Sequence, residues 1–237
     1  MIIYGRNPVR EAIRGPRTVR RVWAAGGARR EPWLAPLRGI TTAAEPPELE
    51  RLCGSEGHQG VCAEVEAYRY ADAPALLSAG PEPLIIALDQ VQDPQNLGAI
   101  ARSAECAGAT GLVLPERRSV EVTAAVCKAS AGAVEHLPVA RTRNLADFLA
   151  EAKRAGLWCY GADQAGQADY LSTDLSGPLV LVLGSEGRGL RPRVAASCDA
   201  IISIPLRGRI ESLSVSAAAA VLIFAAAANR QGISPRT

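Results

Sequence analysis

Asn96 and Arg102 stand six residues apart in the segment Asn96-x-Gly98-x-x-x-Arg102. The amide can orient a hydroxyl, and the guanidinium can grip a phosphate or stabilise a developing oxyanion. Arg102 is a poor base by itself, because a guanidinium keeps its proton at neutral pH. A second segment, Gly184-Ser185-Glu186-Gly187-Arg188-Gly189, sets one carboxylate among three glycines. Glycine is required where a backbone turns sharply or comes close to a ligand. The Glu186 carboxylate can pair with a cation such as Arg102 or accept a hydrogen bond from a substrate. The order G-x-x-G-x-G, late in the chain, differs from the dinucleotide fingerprint G-x-G-x-x-G, and no P-loop Gly-Lys-Ser/Thr occurs. A third segment, Ile204-Pro205-Leu206 and then Ser212-Leu213-Ser214-Val215-Ser216, places apolar side chains beside hydroxyls.

Each segment follows an apolar run, at residues 84–88, 178–183 and 200–204. Short Leu-rich and β-branched runs of this kind read as buried parallel strands, and loops at the carboxyl ends of such strands are where an open α/β sheet binds its ligand. The rest of the pattern agrees: a helix over 97–107, a strand over 111–114, a helix over 123–131 and a last helix over 217–229. Alternation of this sort predicts a parallel sheet with helices on both faces. Residues 1–70 mix short apolar runs (19–25, 61–65) with an arginine-rich helical stretch at 8–14, and 71–83, with Pro74, Gly80, Pro81 and Pro83, reads as a linker. The expected division is therefore 1–70, 71–83 and 84–237, with the first unit separable from the last.

Composition narrows the class. A chain of 237 residues that is 48% apolar and 21% charged can bury a full core. Its six cysteines lie far apart without a C-x-x-C pair, which argues against a metal site or a disulfide framework. The most apolar stretch, 217–228, is too short and alanine-rich for a membrane span, and no leader-like apolar segment follows the first arginines; the expectation is a cytoplasmic protein. Net charge is only +2, but Arg6, Arg10, Arg14, Arg17, Arg20, Arg21, Arg29 and Arg30 face a single early acid, Glu11. That clustering predicts a basic, RNA-facing surface. His58, alone in a Gly-flanked loop, reads as structural or RNA-contacting rather than catalytic.

The three motifs, in this order and spacing, resemble those of the SpoU (TrmH) branch of the SPOUT methyltransferases, which move a methyl group from S-adenosylmethionine to a ribose 2′-hydroxyl in RNA. Residues 3–12 and 56–63 are similar to the ribosomal-protein-L30e-like substrate-binding domain that precedes the catalytic domain in members acting on ribosomal RNA. The resemblance implies an α/β fold: a trefoil-knotted parallel-sheet SPOUT domain behind a small L30e-like α/β domain. It implies catalytic roles for Asn96, Arg102, Glu186, Ser212 and Ser214, and cofactor contacts at Gly184, Ile204, Leu206 and Leu213. It further implies 23S ribosomal RNA as partner, with a guanosine as target, direct methyl transfer without a metal, and a homodimer formed through the alanine-rich last helix with its Leu222, Ile223 and Phe224.

One residue departs from the family pattern. The third motif commonly reads Ser-Leu-Asn-Val-Ser, and here Ser214 stands in place of the asparagine. A hydroxyl can donate one hydrogen bond but is shorter than an amide. The substitution leaves open an RNA-binding paralogue, such as a ribosome assembly factor, that keeps the fold without turnover.

Overall fold

The computed structural model describes residues 1–230; the stretch 231–237 of the expected catalytic unit lies outside them. In chain order the first strands and helices are β1 (Ile2–Tyr4), α1 (Arg6–Arg14), β2 (Val19–Ala24), β3 (Thr41–Ala43), α2 (Pro46–Cys53) and β4 (Val61–Val65). They make a four-stranded sheet of order β1-β4-β2-β3, in which β4 runs antiparallel to both β1 and β2.

Then follow α3 (Ala73–Leu76), β5 (Leu84–Leu88), α4 (Pro94–Cys106), β6 (Gly111–Pro115), α5 (Ala124–Ala129), β7 (Val139–Thr142), α6 (Leu145–Arg154), β8 (Trp158–Ala162), β9 (Ala168–Asp169), β10 (Leu179–Leu183), α7 (Pro192–Ala195), β11 (Ala200–Ser203) and α8 (Val215–Arg230). The seven strands form one parallel sheet of order β7-β6-β5-β10-β8-β11-β9. Strand β10 enters between β5 and β8, so the ends of β5, β10 and β11, which lead into the motif loops, come together with the end of β8.

Side chains of alternate residues feed two cores, as the period of a strand requires. Leu84, Ile86 and Leu88 with Leu179, Leu181 and Leu183 pack with α4 and α8, whereas Ile85, Ala87, Val180 and Val182 pack with α6 and α7. Both faces are covered, which explains why β5 and β10 read as unbroken apolar runs.

Helix α4 begins earlier than the expected start at residue 97. Asp93 caps it, its side chain accepting from the Gln95 amide at 3.0 Å, and Pro94 takes the first helical position. Asn96 therefore lies in the first turn of the helix and not in the preceding loop. Gly98 of the first motif serves packing: a Cβ there would overlap Ala129 and stand 2.8 Å from the Ser130 amide on the neighbouring α5.

The stretch 71–83 is not a free connector. Ala71 bridges Ala140 beside β7, and Ala73 and Leu76 are buried in the second core with Leu145 and Phe148. The first unit is not loosely attached either. Its Ile3, Val9 and Val22 share one apolar cluster with Leu97 and Val126, and the Tyr68 hydroxyl donates to the Val134 carbonyl at 3.1 Å. Among the described residues no helix is long and apolar enough to cross a membrane.

Candidate cofactor pocket and active site

The loops after β8, β10 and β11 and the start of α8 enclose a cavity of about 370 Å³. Gly184, Ile204, Leu206 and Leu213 all line it, together with Leu183 and Ile202. A cavity of this size, with aliphatic walls interrupted by polar and charged side chains, suits one adenosyl-sized molecule. The fit is tight where glycine was expected. A Cβ on Gly184 would overlap the backbone of Gly189, because Ser185 and Gly189 exchange backbone hydrogen bonds at 3.1 and 3.0 Å. Gly187 and Gly189 adopt φ of 76° and 63°, which ordinary side chains disfavour. Leu206 and Leu213, 38% and 41% exposed, both line the cavity.

The polar candidates gather at the junction of α4 and α8. The Ser216 hydroxyl donates to Asn96 Oδ1 at 2.9 Å, and Ser214 Oγ lies 3.2 Å from Ser216 Oγ. Glu186 Oε1 accepts from the Val215 amide at 3.4 Å, tying the loop after β10 to the start of α8. Glu186 and Ser212 line the cavity; Asn96 and Ser214 do not. Ser214 has a structural task besides: it is the residue before α8, and its Oγ accepts from the Ala217 amide at 3.2 Å, an N-cap bond. Asparagine and serine are about equally good caps, so the departure from the family pattern preserves the entry to α8.

Arg102 is placed apart. It lies on the exposed side of α4, six residues and about 9 Å along the axis from Asn96. Of the two partners open to Glu186, Arg102 forms no ion pair with it among the described residues, and Glu186 is engaged instead at the Val215 amide. Sequence reasoning also missed Asp163 and Gln164, which follow β8 and line the cavity. Their position at a strand's carboxyl end was the available signal. Cysteine chemistry has no place in the cavity: none of its lining residues is a cysteine, and burial pushes the Cys159 and Cys198 thiols up to about 12.

The arginine cluster divides. Arg17 is buried against Glu135, Arg6 pairs with Glu31, Arg10 and Arg14 share Glu11, and Arg20 meets Glu66. Arg29 and Arg30 are exposed and carry no ion pair among the described residues; Arg21 lies over the Trp23 ring. His58 braces its own turn, its Nδ1 accepting from the Gly60 amide at 3.0 Å.

Comparison with known proteins agrees with this geometry. Residues 83–224 match the SpoU rRNA Methylase family, and residues 2–71 match the RNA 2′-O ribose methyltransferase substrate binding family. A Bacillus subtilis (strain 168) protein assigned to the TrmH family of tRNA/rRNA methyltransferases, YacO, is 40% identical over 232 residues, covering 94% of this chain and 93% of that one. Among solved structures, the SpoU methyltransferase AviRb of Streptomyces viridochromogenes, in complex with AdoMet, superposes with a TM-score of 0.83 at 27% identity, covering 100% of this chain and 91% of that one. The AdoMet-bound rRNA methyltransferase of Sinorhizobium meliloti gives 0.80 at 27% identity, over 95% and 85%. The motifs, the parallel sheet that carries them and the small sheet ahead of it thus have one explanation: the chain belongs to the SpoU (TrmH) family of RNA methyltransferases and has its SPOUT fold.

Proposed function

We propose that this protein transfers the methyl group of S-adenosylmethionine to a ribose 2′-hydroxyl of RNA, with a guanosine of 23S ribosomal RNA as target. The observation that carries the reading is the meeting of all three motifs: a glycine-walled cavity of about 370 Å³ with the Asn96–Ser216–Ser214 contacts beside it. The cofactor, when bound, supplies an electrophilic methyl carbon. Leu206 and Leu213 would hold its apolar parts, and the close approach of the backbone at Gly184 would let amides and carbonyls read its edges. Asn96, fixed by Ser216, orients the ribose; Arg102 binds the adjoining phosphate and stabilises the oxyanion as the hydroxyl loses its proton. Glu186 keeps the loop after β10 closed on α8.

The functional division follows the two sheets: residues 1–70 bind substrate and residues 84–237 carry the chemistry. We assign a homodimer through α8, in which Leu222 and Ile223 serve the chain's own core while Val221 and Phe224 stay exposed for a partner. Arg29 and Arg30, free of carboxylates among the described residues, are assigned to RNA phosphates. Arg29→Glu with Arg30→Glu should weaken binding of a ribosomal RNA fragment and flatten its salt dependence by about 0.7 in log–log slope for each phosphate no longer neutralised. An unchanged slope would take these arginines out of the interface. Deleting the first unit is a poor test, since its removal strips cover from the buried Glu135.

Ser214 decides between the enzyme and a paralogue without turnover. Loss of the hydroxyl removes one hydrogen bond, on the order of 1 kcal/mol or about fivefold in rate, and removes the cap, about 1 kcal/mol of stability. Ser214→Ala should thus be modestly slower and less stable, and Ser214→Asn equal or faster with the cap intact. Single-turnover assays with unmodified RNA and labelled cofactor check this. Silence in all three proteins despite tight binding of RNA and cofactor would favour the paralogue.

A further inference from the structure

We propose that Asp163 is a charge-selecting residue of the cavity, whose carboxylate favours the cationic methyl donor over the spent product. The inference rests on the cofactor reading above. The charged residues lining the cavity are Asp163, Glu186 and Arg188, which leaves its wall net acidic. Glu186 is engaged at the Val215 amide. Asp163 sits on another wall, directly after β8, and its Oδ1 accepts from the Ala165 amide at 2.9 Å. That turn fixes the carboxylate but uses one oxygen only. Oδ2 has no protein donor among the described residues, and no cation pairs with Asp163 there.

Gly189 explains how the carboxylate fits. A Cβ at that position would lie 2.6 Å from Asp163 Oδ2, and the residue's φ of 63° already disfavours a side chain. The bare glycine leaves the carboxylate room beside the loop after β10. An asparagine would make the same turn, so the turn does not account for a negative charge on this wall.

Methyl transfer changes the charge of the molecule in the cavity. The bond from sulfur to the methyl carbon breaks with its electron pair staying on sulfur, a carbon–oxygen bond forms at the ribose, and the hydroxyl proton passes to water. The donor's sulfonium becomes a neutral thioether. In a cavity this small, any ligand that fills it lies within a few ångströms of the wall, where one unit charge is only partly screened. A fixed carboxylate therefore strengthens donor binding and does little for the product, which eases its release.

Calorimetric titration of the full-length protein with S-adenosylmethionine and S-adenosylhomocysteine tests this. Asp163→Asn, which keeps the turn, should weaken donor binding about five- to tenfold and product binding less than about twofold. In the wild type the preference for the donor should shrink as salt is raised, a readout that needs no variant. Asp163→Glu should retain part of the preference. Equal losses for both ligands in Asp163→Asn, or a wild-type preference indifferent to salt, would overturn the inference while leaving the cofactor reading in place. Failure of the wild type to bind either ligand would overturn both.

Discussion

Arg102→Ala is expected to abolish methyl transfer, with a loss of at least 10²–10³-fold in single-turnover rate, while the affinity for S-adenosylmethionine stays unchanged. The placement of the residue is what separates the two effects. Arg102 is exposed on α4, lines no part of the cavity and has no carboxylate partner among the described residues. Its removal takes nothing from the core, and surface substitutions of this kind shift stability by about 0.5 kcal/mol or less. A loss of activity would then report on the RNA and not on folding or cofactor. Arg102→Lys should recover little, because an ammonium cannot reproduce the two-pronged grip of a guanidinium on phosphate. A large fall in cofactor affinity in a correctly folded Arg102→Ala protein would remove the assignment.

What could be read in advance was what local pattern controls. The β5 run at 84–88 coincides with an observed strand because apolar side chains on both faces of a strand leave an unbroken signature, and the 61–65 run coincides with β4 although Glu64 interrupts it. The glycine-walled cavity was legible for a similar reason, since glycine spacing marks backbone that comes close to something. Pairings across the chain were not legible. Arg17 looks like its seven neighbouring arginines until Glu135, far along the sequence, arrives beside it. Glu186 read as a partner for a cation such as Arg102 or for a substrate, and its contact with the Val215 amide, 29 residues along the chain, had no local signature. Leu222 and Phe224 looked alike in an alanine-rich helix, yet only the packing of α8 on α4 decides which is buried.

The other large effect belongs to that hidden pair. Arg17 is 5% exposed and Glu135 fully buried at the side chain, so neither charge is solvated by water. Nε donates to Glu135 Oε2 at 2.8 Å, Nη2 donates to Oε1, and the same nitrogen approaches Cys127 Sγ at 3.6 Å. Burial opposes the charge on Arg17, but the bonds to Glu135 outweigh it and hold the guanidinium above its ordinary pKa; burial also pushes the Cys127 thiol up to about 11. Arg17→Ala should therefore cost about 3–5 kcal/mol, since the substitution strands a carboxylate in a low-dielectric site. Arg17→Met combined with Glu135→Leu should recover most of that, because an apolar pair of similar volume requires no compensating charge. Urea unfolding of the wild type and the single and double variants reads both effects, and a cost below about 1 kcal/mol for Arg17→Ala would mean that water reaches Glu135. The consequence reaches function through geometry. Arg17 joins the first sheet to the segment after α5, which packs on α4, so this pair is one of the contacts that hold Arg29 and Arg30 relative to the Asn96 site. The double variant should then restore stability and RNA methylation together, whereas recovery of stability alone would show that the ion pair fixes an orientation that packing cannot.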